Sequence, residues 1–326
     1  MNYEIFSELL KSHLDQYCEV ERKQRPKELY DPELYILSLG GKRLRPLLTL
    51  IGCDLFNKEV KTSLDAALTV ELFHNFSLIH DDILDQAPLR RNSPTVHQKW
   101  NTNIAILSGD LLLVKAYEML ANYKTKELKQ LLTLFNRTAI EVCEGQQLDM
   151  NFERSDSVTV KEYIEMIRKK TAVLLGCSLQ MGAICAGAGK SSQKKLYEFG
   201  VHLGLAFQLN DDLLDVYADK NSFGKQTGGD IVSNKRTFLL IKALEKTKGT
   251  KRKELNKWLT GTDHSNEEKV TAVKGIYDSL GLKELCIEEA RKHTLKAISN
   301  LEKVKADPIK KESLKKYALH LLERSN

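Results

Sequence analysis

The sequence predicts an all-α protein, one domain over residues 1–326, and three observations lead there. Glycine (18) and proline (6) are scarce for 326 residues, whereas a sandwich or barrel needs turn signals every ~8–12 positions. Apolar residues recur at three- and four-residue spacing through nearly the whole chain, the mark of amphipathic helices. The six cysteines include no Cys-x-x-Cys pair, so neither a disulfide framework nor a cysteine metal clip stands in for a core. Helix must then pack on helix in a single large bundle.

The first predicted helix runs from Tyr3 to Gln24, with Ile5, Leu9, Leu10 and Leu14 on one face. Leu64 to Leu84 is a long apolar run without a breaker. Asp110 to Tyr123, Glu127 to Glu144, Val160 to Gly187, Ser191 to Val216 and Thr237 to Leu244 follow as further helical stretches. Breaks fall at Gly40-Gly41, Asn92-Ser93-Pro94, Arg154 to Ser157 and Asn221 to Gly229. Lys248 to Lys269 is dense in charge and holds only Leu255, Trp258 and Leu259 as anchors, which suits short surface helices. The uncharged stretch between Lys170 and Lys190 is long enough to span a bilayer. Gly176, Gly182, Gly187, Gly189, Ser178 and Gln180 make it too polar for that, so it reads as a helix buried on all sides, with no transmembrane segment.

Glu4 and Glu8 stand early, without the apolar core of a signal peptide. Free thiols and no leader point to a reducing, cytoplasmic setting. The net charge of +6 is spread among interleaved acids, unlike the concentrated basic face of a nucleic-acid binder. An anionic small molecule suits it better.

Two segments echo each other: Leu78-Ile79-His80-Asp81-Asp82-Ile83-Leu84-Asp85 and Gln208-Leu209-Asn210-Asp211-Asp212-Leu213-Leu214-Asp215. Both carry Asp-Asp-x-x-Asp near the end of an apolar helix pattern. Asp81 and Asp85 share a helix face one turn apart, where like charges repel unless a cation sits between them. One copy could be a solvated helix end; two in apolar surroundings, where unpaired carboxylates are costly, point to metal. Mg²⁺ takes one or two carboxylates and completes its shell with water and phosphate. Cations surround the two motifs in sequence: Lys42, Arg43 and Arg45 after the diglycine, Arg90-Arg91, Lys170-Thr171, Lys225 and Lys235. Together they suggest two polyanions, one held through metal and one by Arg and Lys directly.

At these residues the sequence resembles the trans-prenyl diphosphate synthases, or polyprenyl synthetases. The matching segments are GGKRLRP (Gly40–Pro46), ELFHNFSLIHDDILDQAPLRR (Glu71–Arg91), PTVH (Pro94–His97) and ILSGDLLL (Ile106–Leu113). EGQQLD (Glu144–Asp149), KKTA (Lys169–Ala172), AFQLNDDLLDVYAD (Ala206–Asp219) and FGKQTGGDIVSNKRTF (Phe223–Phe238) continue the match. Asn92 and Asn101 stand where the family commonly has glycine. The resemblance implies an isoprenoid-synthase bundle around a deep central cavity, a homodimer, and head-to-tail condensation of isopentenyl diphosphate with an allylic diphosphate. It implies three Mg²⁺ per active site, held by Asp81, Asp85 and Asp211 with Asp82, Asp212 and Asp215 in support. Arg90, Lys170, Thr171, Gln208, Lys225 and Lys235 would surround the allylic diphosphate; Lys42, Arg45, His74 and Arg91 would hold isopentenyl diphosphate. Asp81, Asp85, Asp211, Lys170 and Lys225 would carry the catalytic work, and the departing diphosphate would take the final proton.

Phe76 lies five residues before Asp81, ~7–8 Å deeper along a helix, and Phe73 three further back. The resemblance makes them the floor of the product tunnel. A bulky residue at that point, with no insertion inside the first acidic motif, implies a short product of the farnesyl or geranylgeranyl type, twenty carbons favoured. Two other functions share parts of this pattern. A terpene cyclase would lack the second Asp-Asp-x-x-Asp and the GGKRLRP element, and a non-catalytic subunit of a heteromeric synthase would have lost carboxylates or the arginine pair.

Overall fold

A computed structural model describes residues 3–155, 157–218, 228–261 and 263–323. In chain order its helices are α1 (Tyr3–Glu21), α2 (Lys27–Ser38), α3 (Leu44–Asp54), α4 (Leu64–Leu84), α5 (Val96–Lys99), α6 (Thr102–Ala121), α7 (Thr125–Glu153) and α8 (Val160–Ile167). They continue with α9 (Val173–Cys185), α10 (Lys190–Tyr217), α11 (Gly229–Val232), α12 (Phe238–Lys246), α13 (Gly249–Thr260), α14 (Asn266–Ser279), α15 (Leu282–Glu302) and α16 (Pro308–Glu323). The fold is all-α, as the periodicity predicts. The one strand pair among the described residues is two residues long on each side, Leu89–Arg90 against Ser93–Pro94.

The chain divides into two compact units. The first comprises Met1–Thr138, Leu174–Tyr197 and Lys303–Leu314. Its centre is α4, which packs on α3 and α6 and is buried without interruption from Ala66 to Phe73. A helix covered on every side needs no polar stripe, and the run carries only Thr69 and Glu71 as polar residues, both buried. Each fully buried Leu or Phe there stabilises the unit by ~1.5–3 kcal/mol. The uncharged stretch behaves as predicted: Leu174, Leu175, Cys177, Leu179, Met181 and Ile184 of α9 are all buried. A Cβ on Gly182 would come within 2.0 Å of the Thr49 carbonyl oxygen, so α9 and α3 cross backbone against backbone there. No helix among the described residues is long and apolar enough to cross a membrane.

The second unit comprises Ala139–Val173, Glu198–Glu302 and Lys315–Asn326. It starts α8 with a capping box, in which Thr159 Oγ1 accepts from Glu162 N at 3.2 Å and Glu162 Oε2 accepts from Thr159 N at 2.8 Å. A π-helical turn, Arg168–Ala172, follows directly. Within the unit α12 and α14 pack on α15, and α11 on α14. The charge-dense stretch becomes α13, pinned by buried Leu255, and the start of α14. Of the break predicted over Asn221 to Gly229, residues 221–227 lie outside the described residues.

Candidate active site

The first acidic motif sits where α4 ends. Asp85 is the C-cap, Gln86 follows at φ +51°, Gln86 N donates to the Ile83 carbonyl at 3.2 Å and Ala87 N to the Asp82 carbonyl at 2.9 Å. These paired bonds are a Schellman ending, which stops the helix one residue after Leu84 and turns the chain. The strand pair then carries Arg90 back toward the motif. Its two central residues, Arg91 and Asn92, have φ +51° and +62°, the conformation of a type I′ turn. Asn adopts positive φ more readily than other side chains, which explains how Asn92 serves where glycine is common. Asp82 is buried and accepts from Arg90 three times: Nε to Oδ1 at 2.9 Å, Nε to Oδ2 at 2.8 Å and Nη2 to Oδ1 at 2.7 Å. Arg90 Nη2 is also 4.0 Å from Asp81 Oδ2. Asp81 and Asp85 keep contact with solvent.

The residues predicted to hold isopentenyl diphosphate gather beside the diglycine. Arg45 Nη1 lies 3.2 Å from His74 Nε2. An arginine can only donate, so that nitrogen is an acceptor and the imidazole carries its proton on Nδ1. Burial first, then the charges of Arg45, Arg91 and Arg90, hold the His74 pKa well below its ordinary value. His74 is therefore neutral and orients Arg45. The Arg91 guanidinium lies against Gly41, where an added Cβ would meet its Cζ at 2.7 Å. Burial depresses the Arg91 pKa, and the buried carboxylate of Glu71 works against that shift. Lys42 is exposed on the same loop.

The second unit assembles a different group. Gly145 lets α7 touch the π turn directly, since a Cβ there would fall 2.2 Å from Lys170 N. Three ion pairs then join the two elements: Glu141 with Arg168 at 2.6 Å, Glu144 with Lys169 at 2.7 Å and Asp149 with Lys170 at 2.7 Å. Thr171 Oγ1 donates to Gln208 Oε1 at 3.3 Å, Gln208 Nε2 donates to Asp212 Oδ1 at 3.2 Å, and the Tyr163 hydroxyl donates to Asp212 Oδ2. Burial, with the charge of Asp230 adding to it, pushes the Asp212 pKa up to about 7. Asp215 Oδ2 accepts from Asp230 N at 2.9 Å, and Lys235 Nζ lies 3.9 Å from Asp230 Oδ1. Asp211 and Asp215 are partly exposed. Lys225 lies outside the described residues.

Phe73 is buried, with its ring 5.2 Å from Phe135 and 5.5 Å from Phe76. Phe76 is partly exposed and stands edge-on to His80 at 4.7 Å. Of the two, Phe73 belongs to packed core and Phe76 to its margin.

Among the described residues no three His, Cys, Asp or Glu side chains converge into a closed cage for a cation. That donor set still fits Mg²⁺, which needs only one or two carboxylates and keeps its waters for phosphate to replace. The outer carboxylates of each motif, all oxygen donors in contact with solvent, suit it; Asp82 and Asp212 are taken up by protein donors. Sequence reasoning missed Tyr163, Glu71 and Asp230, and gave no role to Asp149, which pairs with Lys170. All four are polar residues in buried or part-buried places, and their one sequence signal is position inside or beside the matching segments.

A family model described as polyprenyl synthetase matches residues 26–277. The chain is 36% identical over 310 residues, 94% of each chain, to a geranylgeranyl pyrophosphate synthase of Geoglobus acetivorans. It is 34% identical over 307 residues to a geranylfarnesyl diphosphate synthase of Aeropyrum pernix, covering 92% of this chain and 95% of that one. A solved geranylgeranyl pyrophosphate synthetase from Pyrococcus horikoshii matches at TM-score 0.92 and 31% identity, over 99% of this chain and 98% of the other. Fold, motifs and relatives define an enzyme class, the trans-isoprenyl diphosphate synthases. The chain belongs to the polyprenyl synthetase family.

Proposed function

We propose that the protein is a short-chain trans-prenyltransferase, joining isopentenyl diphosphate to dimethylallyl, geranyl or farnesyl diphosphate. The allylic carbon–oxygen bond breaks, the terminal alkene carbon of isopentenyl diphosphate bonds to the allylic cation, and a proton leaves to the released diphosphate. Three Mg²⁺ per active site, taken by Asp81, Asp85 and Asp211 with Asp215 beside them, would supply charge neutralisation on the leaving group. Arg90, Lys170, Thr171, Gln208, Lys225 and Lys235 bind and orient the allylic diphosphate, adding stabilisation where charge develops. Lys42, Arg45 and Arg91, with His74 fixing Arg45, bind isopentenyl diphosphate.

The observation that carries this reading is the Arg45–His74 contact beside Arg91 and the diglycine. A terpene cyclase ionises one diphosphate and has no use for a second such cluster. Twenty carbons is the favoured product; the geranylgeranyl names of two relatives support it. A homodimer is supported by the apolar residues Ile106, Leu107, Val114 and Tyr117, which α6 leaves exposed. A cytoplasmic location is supported by the six free cysteines. Release of inorganic diphosphate tests the reaction class. It should require isopentenyl diphosphate and an allylic diphosphate together; release from the allylic substrate alone, with a hydrocarbon product, would make the protein a cyclase instead.

A further inference from the structure

The second acidic motif contains a hydrogen-bond hub that the reaction as proposed does not use. Asp212 is buried, and in its ionised form it can only accept. Its Oδ2 takes the Tyr163 hydroxyl and its Oδ1 takes Gln208 Nε2 at 3.2 Å. A glutamine amide has one donor end and one acceptor end, and a neighbouring carboxylate tolerates only the donor end. Asp212 therefore fixes which way Gln208 faces. Gln208 Oε1 is left to receive Thr171 Oγ1, 3.3 Å away, and the second N–H of the amide makes no hydrogen bond among the described residues. Tyr163 is itself fully enclosed, on α8, so its hydroxyl has no water to turn to.

We infer that Tyr163 is a positioning residue for the allylic diphosphate, acting through Asp212 on the Gln208–Thr171 pair. The inference rests on the assignment of Gln208 and Thr171 to that diphosphate. Tyr163 touches neither substrate; it anchors one oxygen of Asp212, so that the other stays aimed at Gln208 Nε2. Without the hydroxyl, the carboxylate can rotate to satisfy both oxygens from the Gln208 side. Gln208 then loses its fixed orientation, and Thr171 loses its acceptor.

Tyr163→Phe keeps the ring and removes only the donor. Binding is measured by calorimetry with an allylic S-thiolodiphosphate, which resists ionisation, and separately with isopentenyl diphosphate. The variant should remain folded by circular dichroism and bind the allylic probe about 10-fold more weakly, the loss typical of a hydrogen bond to a charged group. Its affinity for isopentenyl diphosphate should stay as in the wild type. In an Asp212→Asn background the same Tyr163→Phe change should no longer alter allylic affinity, because the hub is already broken. Unchanged allylic affinity in Tyr163→Phe, equal losses for both ligands, or full additivity with Asp212→Asn would each overturn the inference. Should Tyr163→Phe not fold, Tyr163→Met, which also lacks the donor and packs adaptably, takes its place with the same outcomes. A wild-type protein that binds neither probe would fail the functional reading itself, which separates the two failures.

Discussion

Arg90 grips Asp82 with a forked pair of hydrogen bonds, Nε to Oδ2 at 2.8 Å and Nη2 to Oδ1 at 2.7 Å, and the carboxylate is 1% exposed. The second acidic motif repeats the arrangement with different donors, Tyr163 and Gln208 on Asp212. In each copy the middle carboxylate is committed to the protein, and the outer ones keep contact with solvent. The motif thus combines an anchor with carboxylates left open to solvent.

The anchor has a measurable cost of removal. Arg90→Ala leaves a buried charge without its partner and should destabilise the protein by ~3–5 kcal/mol. Urea unfolding of the variant against wild type reads this directly. A loss below ~1 kcal/mol, the scale of an exposed ion pair, would show that Asp82 finds another donor.

The parts of the fold that were legible in the sequence are those whose stability comes from apolar burial. Helix α4 has the predicted bounds because its apolar run ends where the Schellman turn begins. Helix α6 starts at Thr102 rather than Asp110 because Asn101 caps it, its Oδ1 accepting from Ile104 N at 2.9 Å. Gly109 within it is where His80 packs, since a Cβ there would lie 2.4 Å from its Nε2. Helix α7 runs on to Glu153 past the predicted Glu144 because ion pairs, invisible to hydropathy, hold its last turns to the π turn. The outer aspartates and the arginines were legible as motifs. Tyr163 and Glu71 were not, because a buried polar residue in an apolar pattern looks like any other interruption.

The two diphosphate sites should separate by mutation. Arg45→Ala should weaken isopentenyl diphosphate binding by about 10-fold or more, removing a charge-assisted contact, with little effect on the allylic partner. Lys170→Ala should chiefly lower kcat with the allylic substrate. Titrating each ligand against each variant checks this, and a reversed pattern would exchange the two sites.

Phe73 and Phe76 should respond differently to truncation. Phe73→Ala opens a cavity in packed core beside Phe135 and should cost ~3–5 kcal/mol. Phe76→Ala, at the partly exposed margin, should cost less and shift products to longer chains. Thermal unfolding and chromatography of dephosphorylated products read the two effects. Unchanged product length in a folded, active Phe76→Ala enzyme would place the chain-length limit on another helix.

Glu33 makes stability depend on pH. Burial, opposed by the Tyr17 hydrogen bond and reinforced by the charge of Glu21, raises its pKa from 4.5 to about 7. The folded state therefore holds a proton that the unfolded state releases. Its contribution is complete below ~4.5 and is lost as pH rises toward 7, a swing of about 3 kcal/mol. Glu33→Gln removes the ionisation, so the variant should gain on wild type by about that amount between pH 4 and pH 8. Parallel stability curves from denaturant unfolding would contradict the assignment.

Mg²⁺-dependent chain elongation from two diphosphates is read out by product analysis. Purified protein is incubated with isopentenyl diphosphate, each allylic primer and Mg²⁺, and the dephosphorylated products are identified by chromatography and mass spectrometry. The products should be all-trans prenyl alcohols lengthened by whole isoprene units, mainly of twenty carbons. Formation should cease with chelator and fall by several orders of magnitude in Asp81→Ala and Asp211→Ala. Unextended primer from active-looking, folded protein, or full product formation in either aspartate variant, would contradict it.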